Sequence, residues 1–156
     1  MNKRLKLKKV EIENVVVADV FKPISNKKEY IPIFLESVSA GFPSPADDYL
    51  EGRLDLNEYL IRNPSATFFL RVTGDSMIDA GIHSGDILIV DRSLTPRSGS
   101  IVIAAIDGEL VVKRLKIIKN KIFLIPENRQ YEPIEIKSEM NFEVWGVVTS
   151  VIHSLT

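Results

Sequence analysis

Cysteine is absent from all 156 residues of the sequence. The chain therefore forms no disulfide bond, has no thiol nucleophile and offers no thiolate ligand to a metal ion. This absence suits a reducing compartment, and we expect the protein to be cytoplasmic. Histidine is scarce, with only His83 and His153. Because these two lie far apart in the sequence, we interpret them as surface or turn residues and predict no metal site and no cofactor.

The sequence also lacks a long apolar run and a strong net charge. The apolar stretch at residues 15–18 is followed at once by Asp19, so neither a secretory signal nor a membrane span is predicted. A formal net charge of −1 gives no global attraction to nucleic acid. Five basic residues cluster near the N-terminus, and we interpret them as a solvated chain end: Lys3, Arg4, Lys6, Lys8 and Lys9.

What is present suffices for one folded domain preceded by an arm. Apolar residues make up 45% of the chain and charged residues 26%, as in soluble globular proteins. Residues 1–40 hold short apolar pieces separated by charges and prolines, which favours an extended N-terminal arm. We expect the core to comprise residues 41–156. Small residues and prolines at 37–45 are typical of an exposed segment, either an ordinary linker or a cleavable one.

The core has the residue pattern of strands. β-branched and aromatic residues predict strands at residues 67–73, 86–90, 100–106, 109–117, 121–125 and 143–152. Asp107-Gly108 and Asn120 are typical of tight turns between strands, and one helix is predicted at residues 55–61. The expected fold is mainly β, a curled antiparallel sheet with one or two short helices and the extended N-terminal arm.

Ser76 and Lys113 are the candidate catalytic residues. A serine hydroxyl becomes a good nucleophile when a neighbouring base takes its proton. Lysine is such a base only if its pKa falls well below about 10.4, as burial in apolar surroundings causes. Alternation along the strand places Lys113 on one face with Val111 and Leu115, although a shift of one residue would reverse the faces.

Each of these two residues alone is more typical of a structural role. Serine in a turn usually satisfies backbone hydrogen bonds, and a strand lysine is usually at an edge or extends its amine to solvent. Ser76, however, follows Gly74, where glycine allows a sharp turn after the predicted strand. The combination of Ser76 and Lys113 therefore favours a Ser–Lys nucleophile.

A series of motifs follows one another along the chain: Gly41-Phe42-Pro43-Ser44-Pro45-Ala46-Asp47-Asp48-Tyr49, Asp55-Leu56-Asn57, Asn63-Pro64-Ser65-Ala66-Thr67, Gly74-Asp75-Ser76-Met77-Ile78-Asp79, Gly85-Asp86-Ile87-Leu88-Ile89-Val90-Asp91, Ile101-Val102-Ile103-Ala104-Ala105-Ile106-Asp107-Gly108-Glu109, Val112-Lys113-Arg114-Leu115 and Gly146-Val147-Val148. In identity and order they resemble the UmuD branch, the polymerase managers of the bacterial SOS response, within the LexA/UmuD family of self-cleaving serine peptidases. The resemblance covers nearly all of residues 34–152.

The resemblance implies the fold and the site of that family. It makes Ser76 the nucleophile and Lys113 the general base, with the backbone N–H groups of Asp75 and Ser76 holding the oxyanion. The scissile bond implied is Ala40–Gly41, so that cleavage releases a core beginning at Gly41. No cofactor or metal is implied.

The resemblance also implies partners. These are a second copy of the chain in a homodimer, a RecA–single-stranded DNA filament acting as coprotease, and a UmuC-type Y-family DNA polymerase that the trimmed core serves in error-prone translesion synthesis. No direct sequence-specific DNA binding and no membrane association are expected.

Two other functions use the same core. A LexA-like transcriptional repressor needs a helix-turn-helix domain before the cleavage site, and about 40 residues with several β-like stretches are too few for that domain and a linker. A structural β-module that never cleaves would not need both Ser76 and Lys113.

Overall fold

The computed structural model describes residues 16–22, 31–34 and 50–156. As predicted, these residues are mainly in strands. The strands and the single α-helix of the described part are β1 Val16–Phe21, β2 Ile31–Phe34, β3 Leu50–Leu54, α1 Leu56–Leu60, β4 Thr67–Thr73, β5 Ile87–Asp91, β6 Ile101–Ile106, β7 Glu109–Ile118, β8 Lys121–Ile125, β9 Ile134–Glu135 and β10 Phe142–Ile152. Two short 3-10 helices lie at Pro64–Ala66 and Ile78–Ala80.

The smaller of two compact units spans Ile24–Arg62. In its described part, β2 and β3 pair antiparallel, and Ile31 lies opposite Leu54. The buried side chain of Asp55 accepts a hydrogen bond from the backbone N–H of Asn57 at 2.8 Å. An aspartate at this position satisfies a backbone donor of the first helical turn, which explains why α1 begins at Leu56.

The larger unit is built on an eight-stranded antiparallel sheet in the order β1-β4-β5-β10-β6-β7-β8-β9. β1 also pairs with β7, through Val16 and Val111. This second pairing joins the first strand of the order to the sixth, so β1, β4, β5, β10, β6 and β7 close into a ring. The predicted curled antiparallel sheet is confirmed.

β1 lies within residues 1–40, the predicted arm, and is itself a strand of this sheet. The proposed boundary between arm and core at residue 40 lies outside the described residues.

β7 changes its neighbour halfway along one edge. Near its start it pairs with β1 at Val111, and from Arg114 onward it pairs with β8. Lys113 lies between these two pairings, opposite Val102 of β6 on the other edge. The position is therefore central in the sheet, at the place where β1 and β8 diverge.

β7 contributes to two apolar clusters. Val112 belongs to the first, together with buried side chains of β1, β4, β5 and β6. Val111 and Leu115 belong to the second, with Val102, Ala104 and Leu124. The alternation confirms the predicted register, since Lys113 shares its face of β7 with Val111 and Leu115.

Candidate active site

Ser76 and Lys113 meet in the larger unit. Nζ of Lys113 lies 2.8 Å from Oγ of Ser76 and donates a hydrogen bond to it. The exposed fraction of both residues is 0%. The two side chains that the sequence selected, 37 positions apart, are thus in direct contact and shielded from water.

Burial alters the acidity of Lys113. Removing the ammonium group from water lowers its pKa from 10.5 to about 8, because an apolar environment disfavours the charged form. Among the residues that the structure describes, no carboxylate forms an ion pair with Lys113 that would restore the charged form. When neutral, Nζ can accept the proton of the Ser76 hydroxyl.

A sharp turn at the end of β4 presents Ser76. Gly74 has a φ of 96°, a value that costs glycine little and other residues much. Its N–H donates to Oγ of Ser84 at 3.2 Å. The carbonyl of Asp75 accepts from the N–H of Ile78 at 3.2 Å. These bonds fix the backbone immediately before and after Ser76.

The segment after β8 supports the same turn. Nδ2 of Asn128 donates to the carbonyl oxygen of Asp75 at 3.0 Å, and the hydroxyl of Tyr131 donates to the Asp75 carboxylate. The N–H of Asp79 donates to the carbonyl of Glu127 at 2.9 Å. Sequence reasoning missed Asn128 and Tyr131, since an Asn or a Tyr in a loop carries no signal of the distant backbone that it contacts.

The remaining predicted site residues divide into two groups. Asp75 and Ser76, whose N–H groups are the expected oxyanion donors, lie in the turn just described. Ala40 and Gly41, the expected cleavage site, lie outside the described residues.

The two histidines, which lie far apart in the sequence, are neighbours in the structure, and both are partly exposed, as expected for surface or turn residues. Their ring centroids lie 4.5 Å apart, and both rings are next to Asp86. Among the residues that the structure describes, these three form the group whose ligand atoms lie close enough together to hold a metal ion.

Within the described ranges, no helix combines the length and the apolarity that crossing a membrane requires.

Comparison with known proteins gives consistent matches. The family model described as Peptidase S24-like matches residues 32–149. Protein SamA of Salmonella typhimurium is 52% identical over 122 residues, which are 78% of this chain and 84% of that protein. Protein MucA of Escherichia coli is 51% identical over 126 residues, 80% of this chain and 84% of MucA. Protein ImpA of Shigella flexneri is 51% identical over 122 residues, 78% and 83% of the two chains.

Proposed function

The chain belongs to the Peptidase S24-like family and is a UmuD-like SOS mutagenesis protein, and from this premise we propose that Ser76 and Lys113 form a catalytic dyad that cuts the chain's own Ala40–Gly41 bond. One observation carries the proposal: the 2.8 Å contact between Nζ and Oγ of two fully buried side chains. The UmuD-like relatives favour this function over that of a LexA-like repressor.

The proposed reaction begins with neutral Lys113. Nζ takes the proton of the Ser76 hydroxyl as Oγ attacks the carbonyl carbon of Ala40. The carbonyl oxygen becomes an oxyanion, which accepts hydrogen bonds from the N–H groups of Asp75 and Ser76. The bond to the nitrogen of Gly41 then breaks, and Lys113 returns the proton to that amine. Water hydrolyses the ester between Ala40 and Ser76, which frees both the new carboxylate and the serine.

The environment of Lys113 makes this chemistry accessible near neutral pH. With a pKa of about 8, roughly a tenth of the side chain is neutral at about pH 7. An unshifted lysine would be neutral in less than about one molecule in a thousand. Burial thus increases the fraction of Lys113 that is neutral, and able to accept a proton, by about two orders of magnitude.

The substrate is proposed to be tethered. Residues 1–40 are joined covalently to the core, which gives the cleavage segment a high effective concentration at Ser76. Ala40 and Gly41 have small or absent side chains, so their backbone can approach a buried hydroxyl closely. We propose that cleavage requires the arm to dock at Ser76 in a bent pose, and that the population of this pose limits the rate.

The proposed partners rest on the similarity to UmuD-like proteins. A RecA–single-stranded DNA filament accelerates cleavage by preferring the chain in its docked pose, without contributing a catalytic group. The product, a homodimeric core beginning at Gly41, serves a UmuC-type Y-family polymerase in translesion synthesis. This activity is placed in the cytoplasm, and no direct sequence-specific DNA contact is part of it.

Intact-mass analysis of the purified chain tests the proposal. We expect a fragment beginning at Gly41 to form faster at about pH 10 than at about pH 7, as Lys113 loses its proton. Ser76→Ala and Lys113→Met should give no fragment. Two substitutions serve as matched controls and should cleave like the parent. Ser138→Ala replaces an exposed serine, and Lys116→Met replaces an exposed lysine that lies in β7.

Adding RecA filaments completes the test. Cleavage that appears only with filaments, and still requires Ser76 and Lys113, supports a strictly activated peptidase. A fragment that forms in Ser76→Ala, or that begins at another residue, contradicts the proposed roles. So does an intact chain under every condition, with and without filaments.

A further inference from the structure

His83, Asp86 and His153 are brought together by the register of the sheet. β10 pairs antiparallel with β5, and Ile152 lies opposite Ile87. The next residue of β10's chain, His153, therefore lies beside the residue that precedes β5, Asp86. The turn before β5 adds His83, whose N–H donates to Oδ2 of Asp86 at 2.7 Å.

The three side chains form a compact donor set. Nδ1 of His153 lies 2.5 Å from Oδ1 of Asp86, within hydrogen-bonding distance, and Nδ1 of His83 lies 3.7 Å from Oδ2. One potential ligand atom from each residue can be chosen so that all three lie within 4.8 Å of one another. The Asp86 side chain is only 3% exposed, whereas His83 and His153 are 42% and 39% exposed. The carboxylate thus lies at the buried end of the cluster, and the two imidazoles lie at the end that is open to solvent.

One atom of the cluster lacks the partner that its burial demands. Nδ1 of His83 is buried, and within the part of the chain that the structure describes it makes no hydrogen bond. Its distance to Oδ2 of Asp86 is too long for one. Buried polar atoms in folded proteins are nearly always paired, and each exception points to a missing water, ion or function. This nitrogen lies next to a carboxylate and a second imidazole, an environment that is typical of metal-binding histidines.

We propose that His83, Asp86 and His153 bind a divalent transition-metal ion, with Zn²⁺ as the best fit. Two imidazoles and one carboxylate suit Zn²⁺, Co²⁺ or Ni²⁺, whereas Mg²⁺ and Ca²⁺ prefer oxygen ligands alone. Zinc bonds of about 2.0–2.1 Å in tetrahedral geometry place ligand atoms roughly 3.3 Å apart. Small shifts of the two partly exposed imidazoles would achieve this spacing, and water would take the fourth position.

The proposed ion would fasten two parts of the larger unit together. It connects the end of β10 with the turn that leads into β5. That turn also holds Ser84, whose hydroxyl accepts the N–H of Gly74 close to Ser76. The site itself contains neither Ser76 nor Lys113, so the inference does not depend on the proposed peptidase activity.

Metal titration of the untagged full chain tests the inference. Calorimetry with Zn²⁺ should show one site, and Co²⁺ should give the visible absorption of a low-coordinate ion. His83→Ala and His153→Ala should each weaken Zn²⁺ binding by more than about tenfold. Removing a residue that only hydrogen-bonds to a metal ligand already lowers metal affinity by about that factor. Asp79→Asn, which removes an exposed carboxylate outside the cluster, should bind like the parent. Repeating the titration in Ser76→Ala keeps the chain uncut.

Nuclear magnetic resonance locates the ion independently. The chain has only two histidines, so each imidazole can be assigned by its loss in one variant. Zn²⁺ should shift the ring nitrogen signals of both, and Mg²⁺ should shift neither. Zn²⁺ binding that survives both substitutions, signals that move for only one ring, or no Zn²⁺ binding at all would overturn the inference. Circular dichroism of each variant shows whether lost binding reflects unfolding, and a folded variant that still binds counts against the site.

Discussion

The rate of self-cleavage should depend on pH through one buried group. If Lys113 is the base, the rate follows the fraction of its side chain that is neutral. Its pKa is lowered to about 8 by burial. The rate should therefore rise about tenfold per pH unit below about pH 7, bend near pH 8 and become constant above roughly pH 9.

The size of the rise separates a buried lysine from an ordinary one. With a pKa of about 8, the neutral fraction grows only about tenfold between about pH 7 and pH 10. A lysine that retained its usual pKa would gain several hundredfold over the same interval, and its rate would still be climbing at about pH 10. The shape of the profile thus reports the environment of Nζ.

The assay is the rate at which the Gly41 fragment appears by intact mass, in buffers of constant ionic strength from about pH 6 to pH 10.5. Ser76→Ala supplies the blank, Lys116→Met the matched lysine control, and circular dichroism confirms the fold at each pH. A rate that is independent of pH would refute the role of Lys113. A rise of several hundredfold without a plateau would refute the burial argument while leaving Lys113 as the base.

Three further predictions concern stability. Lys113→Met should raise the free energy of unfolding at about pH 7 by up to about 3 kcal/mol. The unfolded chain keeps the lysine proton up to about pH 10.5, whereas the folded chain loses it above about pH 8. The free energy of unfolding of the parent should therefore increase between these two pH values, and that of the variant should not. Urea titrations at a series of pH values measure this difference. Gly146→Ala should cost about 1–3 kcal/mol in the same assay, because its Cβ would lie 2.5 Å from Cγ1 of Val90. Burial raises the pKa of Asp91, but the hydrogen bonds that its carboxylate accepts, including one from Asn63 at 2.7 Å, have the larger effect. They hold the pKa of Asp91 below the ordinary value of 3.8. Asn63→Ala should therefore cost about 2 kcal/mol above about pH 4 and progressively less as acid protonates Asp91, which acid-unfolding curves of parent and variant measure.

The strands could be predicted because their sequences alternate and end at strong turn signals. β4 and β8 have the predicted bounds, Thr67–Thr73 and Lys121–Ile125. The turn at Asp107-Gly108 has the positive φ values that the sequence required, 49° and 87°. β9 was missed because it is two residues long and directly follows Pro133. Closure of the ring was also beyond local patterns, since the pairing of Val16 with Val111 joins segments distant in sequence.

The candidate site was predictable in its residue types but not in its geometry. Ser76 and Lys113 were selected by their chemistry and by resemblance, and alternation along β7 gave the correct face for Lys113. Their distance depends on how β4 and β7 are placed in the closed ring, which no local pattern encodes. The histidines show the same limit: only the pairing of β10 with β5 reveals that His153 reaches Asp86.

Two independent fractions limit the proposed self-cleavage, and they can be separated. One is the neutral fraction of Lys113, about a tenth at about pH 7, and the other is the fraction of chains with the arm docked at Ser76. Alkaline pH can therefore accelerate the reaction at most about tenfold through Lys113, so a larger stimulation by RecA filaments at neutral pH must act mainly on docking. If docking is the only target, the fold stimulation should be the same at about pH 7 and pH 9, provided that the filament itself stays assembled. A stimulation that shrinks about tenfold at the higher pH would show instead that the filament deprotonates Lys113, and the population-shift account of activation would then be wrong.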